Sequence, residues 1–403
     1  MNAAEASMSD DDLRGQVRAW LKQNWKADLP PAAPWTTTPE LRAWLGKVVD
    51  AGWAATRWPA EWHGRGLTDA QAKIVEQEFR AVHAPGTGQD KTHFYAITAL
   101  TFGTDALKHK LLRQLLGGEI AMCLLYSEPG AGSDLAGVRT RAERDGDEFV
   151  VNGQKVWTSG AASADYGMLI ARTDWNKPKH QGISFFFLPM KQKGVEVRPL
   201  RQVTDESHFN EVFFSDARVP AVNLLGGLNN GWRVLQTALA YERSVMGEAA
   251  RGPRRGRDGA ANDLIALARE AGRLGDPLVR QDLARVLGLR RVNALNNARA
   301  KTDLETGTSS PIMSLGKLAM SRILHEEARL RTALLGANSL LDGEAFPRSD
   351  DANFLTLNAY FTSIGGGTDQ IQRNIIGERV LGLPKEPEVD RDIPFRDVRA
   401  GLS

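Results

Sequence analysis

Glycine and hydroxyl-bearing residues cluster in residues 126–134, which read YSEPGAGSD. Glycines let backbone N–H groups come close to a flat or anionic ligand, and the hydroxyls of Ser127 and Ser133 add uncharged donors and acceptors. Residues 154–159, QKVWTS, place an aromatic face beside two further hydroxyls. Together these side chains suit a flat heterocycle with polar edges and a phosphate tail. A Gly-rich surface loop on a β-hairpin is the simpler alternative, and the loop by itself does not exclude it.

A second candidate for chemistry is a carboxylate within the helical pattern of residues 232–247. An apolar stripe recurs there at i, i+3, i+4, i+7 and i+11, and consists of Leu235, Ala238, Leu239, Glu242 and Met246. Burial on that stripe would raise the pKa of Glu242 and make it a competent proton acceptor. A salt bridge to a neighbouring helix is the alternative that the pattern leaves open.

Composition is that of an ordinary globular protein long enough for two or three domains. The chain has 403 residues, of which 42% are hydrophobic and 25% charged, with a net charge of +2. Neither nucleic acid nor a membrane surface is indicated, and no run approaches the ~18 apolar residues of a membrane span. The single cysteine, Cys123, excludes an intramolecular disulfide and a cysteine metal cluster, so no metal site is predicted. Residues 1–12 are acidic without an apolar core, which is unlike a signal peptide and leaves the cytoplasm by elimination.

Hydrophobic periodicity divides the chain into three regions and a tail. Helical spacing predicts helices in residues 10–25, 40–51, 69–82 and 92–116, and again in 232–247, 261–272, 277–304, 311–341, 354–363 and 368–382. About seven short strands with turn residues between them are predicted at residues 122–126, 137–144, 148–156, 166–172, 183–189, 195–199 and 208–215. The prediction is therefore mainly α with a central β domain: an N-terminal helical domain (1–120), an antiparallel β-barrel or sandwich (121–228), a C-terminal four-helix bundle (229–384) and a loose tail (385–403).

Three segments in order resemble the flavin-binding parts of the acyl-CoA dehydrogenase family. They are YSEPGAGSD, the NGQKVWTS run and GGTDQIQR at residues 366–373, and the resemblance extends over roughly residues 10–384. It implies FAD-dependent α,β-dehydrogenation of an acyl-CoA, in which a carboxylate takes the α-proton and the flavin takes the β-hydrogen as hydride. It also implies cofactor contacts by Tyr126, Ser127, Gly132, Ser133, Trp157, Thr158, Ser159, Thr368, Asp369 and Gln370. Ser133 and Arg243 are expected near the substrate.

One departure from the family pattern concerns the catalytic base. Many members carry an aromatic residue, Glu, Gly and Thr in succession, with the Glu as base, whereas residues 364–368 here read IGGGT. Gly366 cannot abstract a proton, although its backbone N–H could donate to the thioester oxygen. The resemblance favours Glu242 instead, because residues 240–243 align with branches that hold the base on this helix. Members acting on steroid side chains combine that Glu with a Gly-Gly-Gly segment.

The missing side chains also bear on the substrate. Gly365 and Gly366, which replace the family's aromatic residue and Glu, leave room that suits a bulky, branched or ring-bearing acyl group. Gly365 and Gly367 are expected beside the substrate. Phe361 or a shift of a helix could close this room.

The resemblance implies partners as well. Electrons would pass to an electron-transferring flavoprotein, and the chain would form a homo-oligomer (dimer or tetramer) or a heterotetramer with a paralogous subunit. Residues 251–259, RGPRRGRDG, lack the Phe-Gly that in the family reaches the FAD of a neighbouring subunit. Two other functions remain open: a flavin oxidase or monooxygenase on the same fold, and a non-catalytic subunit of a heteromeric dehydrogenase.

Overall fold

The computed structural model describes residues 8–26, 38–249, 257–305, 312–341, 343 and 345–398. Within these ranges the side chains of residues 243–249, 257–262, 301, 303–305 and 312–314 lie outside the description. The chain divides into two compact units, one comprising residues 1–200, 207–252 and 389–403, the other 201–206 and 253–388. Among the described helices none is long and apolar enough to span a membrane.

Among the described residues, six α-helices precede the first strand. They are α1 (Asp10–Asn24), α2 (Pro39–Asp50), α3 (Asp69–Ala81), α4 (Gln89–Thr92), α5 (Phe94–Phe102) and α6 (Asp105–Leu116). Ser or Thr hydroxyls accept a hydrogen bond from the first turn of α1, α2, α3 and α6, which fixes where these helices begin. The helical pattern predicted over residues 92–116 corresponds to two helices, α5 and α6, because the helical backbone is interrupted at Gly103. The His93 ring accepts a hydrogen bond from the N–H of Ala96 and starts α5.

In the described part of the chain, eight strands follow in one sheet. They are β1 (Met122–Leu125), β2 (Arg141–Asp145), β3 (Glu148–Ser159), β4 (Tyr166–Arg172), β5 (Ile183–Pro189), β6 (Val195–Leu200), β7 (Phe209–Pro220) and β8 (Leu224–Leu225). Their order is β6-β7-β3-β2-β4-β5-β8, and β1 pairs with β4. Most pairs are antiparallel as expected, but β1 and β2 both pair with β4 in parallel.

The strands β4 and β5 are buried on both faces, which explains their continuous apolar sequences. Met168 and Phe185 face the core that also contains the N-terminal helices, whereas Leu169 and Phe186 face a second core within the β domain. The first of these cores contains residues of both the N-terminal helices and the sheet, so the helical domain and the β domain share it.

Helix α7 (Gly231–Ala249) completes the first unit. It begins where a side chain on Gly231 would collide with the backbone of Ser184 and Phe185, so the helix lies directly against β5. Val234, Leu235 and Ala238 are buried in the core shared with the N-terminal helices. The first two residues of the predicted apolar stripe, Leu235 and Ala238, therefore face inward, and Leu239 and Glu242 are half-buried.

Part of the tail predicted to be loose is docked on the first unit. Phe395 is fully buried, and the Arg172 guanidinium lies 3.6 Å from the centre of its ring. Backbone N–H groups of Phe395 and Arg396 donate to the carbonyls of Lys177 and Trp175, at 2.9 and 3.0 Å. The loose-tail prediction is wrong for residues 394–398, because the Phe395 ring packs against the buried guanidinium of Arg172.

The second unit is helical. It contains α8 (Arg257–Glu270), α9 (Pro277–Glu305), α10 (Ile312–Leu335), α11 (Pro347–Ile364) and α12 (Asp369–Ile375), which continues into a π-helical turn (Ile376–Val380). The central helix α10 packs against the other four. Buried leucines such as Leu264 and Leu330 form its core, and the carboxylate of Glu327 accepts hydrogen bonds from Arg290 and Arg331.

Candidate functional site

The glycine-and-hydroxyl loop follows β1 and is held against β3. Glu128 and Ala131 exchange two backbone hydrogen bonds of 3.0 Å, and the N–H of Val156 donates to the carbonyl of Ser127 at 2.9 Å. Ser127 is half-buried, whereas Gly132 and Ser133 are exposed. The loop therefore presents hydroxyl and backbone groups on an accessible side while its first residues are anchored.

At two glycines of the loop, neither the backbone conformation nor the packing of the described residues requires glycine. Neither Gly130 nor Gly132 has a positive φ, and a Cβ built on either would meet no atom within 4 Å. Conformation and packing in the described chain would accept a side chain at both positions. The remaining physical reason for glycine is close approach of a ligand to the backbone.

Trp157 is presented to the outside by an irregularity in β3. The pairing of β3 with β7 shifts register between Lys155 and Thr158, and Trp157 adopts a φ of 61°. Its ring is 57% exposed and contacts the edge of Phe209, with ring centres 5.8 Å apart. A bulky residue in the left-handed region is held there by its surroundings, and such conformations concentrate at functional sites.

The two residues after Trp157 have different environments. Ser159 is exposed, like Trp157, whereas Thr158 is buried. The Thr158 hydroxyl has no hydrogen-bond partner among the described residues, while its carbonyl accepts from the Asn210 side chain at 2.9 Å. A buried hydroxyl without a partner is a polar group that a bound ligand or water can satisfy.

The charge of Glu242 acts on two tyrosines of the first unit. Burial raises the pKa of Tyr126 well above its ordinary value, and the charge of Glu242 adds to the shift. Burial and Glu242 also raise the pKa of Tyr95. The Tyr126 hydroxyl lies 3.8 Å from the sulfur of Met168. Both phenols therefore stay neutral beside the carboxylate, and Glu242 itself is half-buried at the edge of the apolar stripe.

The glycine segment of the second unit forms a left-handed turn between two helices. Helix α11 ends as the N–H of Gly365 donates to the Phe361 carbonyl at 2.7 Å. Gly366 and Gly367 then have φ values of 65° and 88°. Glycine is the residue that adopts these angles without strain, so the backbone conformation itself disfavours a Glu at position 366.

The space around this turn differs between its first two glycines. A Cβ on Gly365 would lie 2.9 Å from the Phe361 ring, which shows that Phe361 occupies the place beside it. A Cβ on Gly366 would meet no atom within 4 Å. The space that a Glu side chain would enter is thus open in this unit, while the place beside Gly365 is filled.

Helix α12 begins directly after the turn. The Thr368 hydroxyl caps it by accepting from the N–H of Ile371 at 3.2 Å. The carboxylate of Asp369 accepts from the Lys317 ammonium at 3.1 Å and from the Ser321 hydroxyl at 2.8 Å. Gln370 is exposed on the same turn. These contacts fix the first residues of α12 and leave Gln370 accessible.

Some predicted site residues fall outside the described part. The side chains of Arg243 and Met246 are among them, as are residues 251–256 of the basic segment. Tyr95 and the pair formed by Glu128 and Lys155 were not singled out from the sequence. No local signal marks them, since each acquires its neighbours only through the fold.

Comparison with known proteins agrees with this architecture. Residues 8–119, 123–217 and 229–381 match the N-terminal, middle and C-terminal domains of acyl-CoA dehydrogenases. The chain is 35% identical to the acyl-CoA dehydrogenase IpdE1 of Mycobacterium tuberculosis over 93% of this chain and 98% of the relative. Among solved structures it is similar to the Tcur3481-Tcur3483 steroid ACAD, with a TM-score of 0.70 and 30% identity over 94% of this chain and 98% of that one. The ChsE4-ChsE5 complex of M. tuberculosis gives a TM-score of 0.65 and 29% identity over 94% and 99%.

These matches place the molecule among FAD-dependent oxidoreductases with a three-domain architecture. The chain belongs to the acyl-CoA dehydrogenase family. The predictions of family, fold class, enzyme class and FAD as cofactor are confirmed. The residues present fit that cofactor, because the open glycines of the loop, the exposed Trp157 ring and the unpaired Thr158 hydroxyl supply backbone, aromatic and polar contacts.

Proposed function

We propose that this acyl-CoA dehydrogenase acts on a bulky, ring-bearing acyl-CoA and that Glu242 is its catalytic base. The observation that carries the proposal is the placement of Glu242. It is half-buried on the apolar stripe of α7, and its charge acts on two neutral phenols, those of buried Tyr126 and half-buried Tyr95. The position that holds the base in many relatives is occupied by Gly366, in a left-handed turn.

To take the α-proton, the catalytic base needs a proton affinity above that of an ordinary carboxylate in water. When bound, FAD supplies the acceptor for the hydride that leaves the β-carbon. Glu242 takes the α-proton, and its apolar neighbours disfavour the charged carboxylate by reducing its hydration. The phenols of Tyr95 and Tyr126 are neutral and keep their own protons. They therefore do not compete with the Glu242 carboxylate for the α-proton of the substrate. The predicted roles of the Gly366 N–H toward the thioester oxygen and of Arg243 toward the substrate stay predictions.

The residues that would hold FAD in the first unit share an accessible setting. Five of them are exposed or half-buried: Ser127, Gly132, Ser133, Trp157 and Ser159. Tyr126 and Thr158, which are adjacent to them in the sequence, are buried. In the second unit Thr368, Asp369 and Gln370 begin α12, where unpaired helical N–H groups favour an anionic or polar group. We propose that both sets contact the cofactor.

The acyl preference rests on space and on the named relatives. A side chain on Gly366 would meet open space, whereas Phe361 fills the place beside Gly365. A bulky acyl group can occupy the open volume. A short straight chain leaves apolar walls in water and loses about 0.8 kcal/mol for each methylene not buried. A solved steroid acyl-CoA dehydrogenase has the same fold over 94% of this chain.

A panel of acyl-CoA thioesters tests the proposal. Anaerobic bleaching of the bound flavin would be followed with butyryl-, isovaleryl-, cyclohexane-carbonyl- and steroid-side-chain-CoA. We expect the ring-bearing thioesters to give the highest rates of flavin reduction per unit concentration. Faster reduction by butyryl-CoA than by every bulky thioester would overturn the acyl preference.

For partners, we propose transfer of electrons to an electron-transferring flavoprotein and assembly into an oligomer. The ChsE4-ChsE5 structure, similar over 94% of this chain, is a complex of two different subunits. A homo-oligomer and a heteromer with a paralogous subunit are distinguished by light scattering of the purified chain with and without the co-expressed paralogue. Turnover with oxygen alone, as fast as with the flavoprotein acceptor, would instead favour an oxidase.

A further inference from the structure

A charged pair is buried beneath the glycine-and-hydroxyl loop. The side chain of Lys155 is fully buried, and its ammonium lies 2.8 Å from the Glu128 carboxylate and 3.0 Å from the carbonyl of Tyr126. Burial lowers the pKa of Lys155 and is opposed by the charge of Glu128. Although burial alone would raise it, the pKa of Glu128 is held below its ordinary value by Lys155 and by backbone N–H groups. The charge of each partner therefore favours the charged form of the other.

The Glu128 carboxylate connects the start of the loop to the backbone that follows it. One oxygen accepts from the N–H of Arg139 at 2.7 Å and the other from the N–H of Thr140 at 3.0 Å. Glu128 stands near the start of the loop, and the two donors follow the loop by five and six residues. A single carboxylate thus closes a segment of about a dozen residues into a fixed ring.

The loop has little regular structure of its own in the described chain. Glu128 and Ala131 exchange backbone hydrogen bonds, and Leu135–Gly137 forms one 3₁₀ turn. Buried Ala131 and Val138 set where the loop rests on the core. Apolar packing gives no direction to hydroxyls or N–H groups, so the hydrogen bonds of Glu128 and Lys155 fix how those groups are oriented.

Lys155 also connects the loop to the tryptophan. It precedes the register shift of β3, and the adjacent N–H of Val156 donates to the Ser127 carbonyl at 2.9 Å. Trp157 follows at once with its positive φ. The same two residues of β3 that hold the start of the loop therefore lead into the strained Trp157.

We propose that Glu128 and Lys155 are positioning residues for FAD, which hold Ser127, Ser133 and Trp157 in the cofactor-binding arrangement before the cofactor binds. Neither side chain needs to touch the flavin. The pair acts through the loop closed by Glu128 and through the strand that carries Lys155. The proposal requires FAD binding, which is established for the family, and does not depend on which acyl group is oxidised.

The first test is the double variant Glu128→Gln, Lys155→Met. It removes both charges together and leaves no uncompensated buried ion, a change that proteins often tolerate. We expect the folded double variant to bind FAD at least about tenfold more weakly, equivalent to about 1.4 kcal/mol. We also expect altered visible circular dichroism of the flavin at saturating FAD, a readout that a purely structural role would leave unchanged. The matched control is Lys191→Met, since Lys191 is exposed and forms a surface pair with Asp165.

The second test needs no variant. Hydrogen exchange of the wild-type apoprotein should show protection of the Arg139 and Thr140 amides without FAD, because both donate to Glu128. Exchange of these amides at unprotected rates would overturn the proposal. An FAD affinity of the folded double variant within twofold of the Lys191→Met control, with unchanged flavin dichroism, would overturn it as well. Loss of the acyl preference with normal FAD binding would concern the proposed substrate and not this pair.

Discussion

Position 242 in helix α7 and position 366 in the turn after α11 are the two places where a family member can carry its base, and they differ physically. Glu242 projects from a regular helix, next to buried Leu235 and Ala238. Gly366 has a φ of 65°, and no atom lies within 4 Å of where its Cβ would be. A helix directs a side chain against defined neighbours and so can desolvate a carboxylate. An open left-handed turn offers a backbone N–H but little to desolvate or orient a side chain.

The largest expected effect comes from removing the carboxylate of α7. Glu242→Gln keeps shape and hydrogen bonding but cannot accept a proton, so the rate of flavin reduction should fall by ~10² or more. FAD content and acyl-CoA binding should be retained. Stopped-flow absorbance of the flavin measures the rate. Glu143→Gln, at an exposed site on β2, should reduce at the wild-type rate.

Near-normal flavin reduction in Glu242→Gln would remove this residue from the mechanism. The physical difference between positions 242 and 366 would then not explain which residue is the base, and the base would be another residue.

The next effect concerns the turn. A non-glycine residue at position 366 must adopt the left-handed conformation, at a cost of about 1–2 kcal/mol in unfolding free energy. Gly366→Ala should show this loss in denaturant unfolding, and Gly366→Asn should lose less, because Asn tolerates that conformation better. Equal stability of wild type and Gly366→Ala would contradict the argument.

The same turn offers a test of function. Gly366→Glu in the Glu242→Gln background should recover part of the lost rate of flavin reduction, because it restores a carboxylate at the family's usual position. Recovery should stay below the wild-type rate, since the added side chain is strained and exposed. A full return to the wild-type rate would show that the turn can orient a base as well as the helix does.

A smaller effect is expected at the cap of α12. Thr368→Ala removes the hydroxyl that accepts from the N–H of Ile371 and should lower the unfolding free energy by about 1 kcal/mol. Thr368→Ser retains the acceptor and should remain near wild type. Thermal unfolding with and without FAD would separate loss of the cap from loss of a cofactor contact. An unchanged melting temperature in Thr368→Ala would argue against the cap.

The smallest expected effect is a change in the pKa values of Tyr95 and Tyr126, which tests the environment of Glu242 in α7. Burial is the larger reason for the raised pKa of Tyr126 and Tyr95, and the negative charge of Glu242 is a further one. In Glu242→Gln that charge is absent, so ionising either phenol meets less repulsion and both pKa values should fall. They should remain above the ordinary value near 10 because burial persists. Carbon-13 NMR of labelled tyrosine rings follows the titration, and a pKa that rises or stays constant would place Glu242 away from both phenols.

Local sequence determined much of this protein. The strands β4 and β5 have the predicted bounds, and most helices begin within a residue or a few of their predicted starts, because periodicity and capping residues act over one or two turns. The stripe containing Glu242 also followed from spacing alone. The loop and the GGGT turn were visible as motifs, since glycine spacing is a local property of the chain.

Tertiary structure decided the features that join distant residues. Glu128 meets Lys155 across 27 positions, and Phe395 covers Arg172 from the end of the chain. The environment of Glu242 depends on Tyr95 and Tyr126, which belong to other elements. The left-handed Trp157 depends on how β3 pairs with β7. Periodicity shows which side of an element faces inward but not which residue of another element meets it there, because that choice is set by packing of the whole chain.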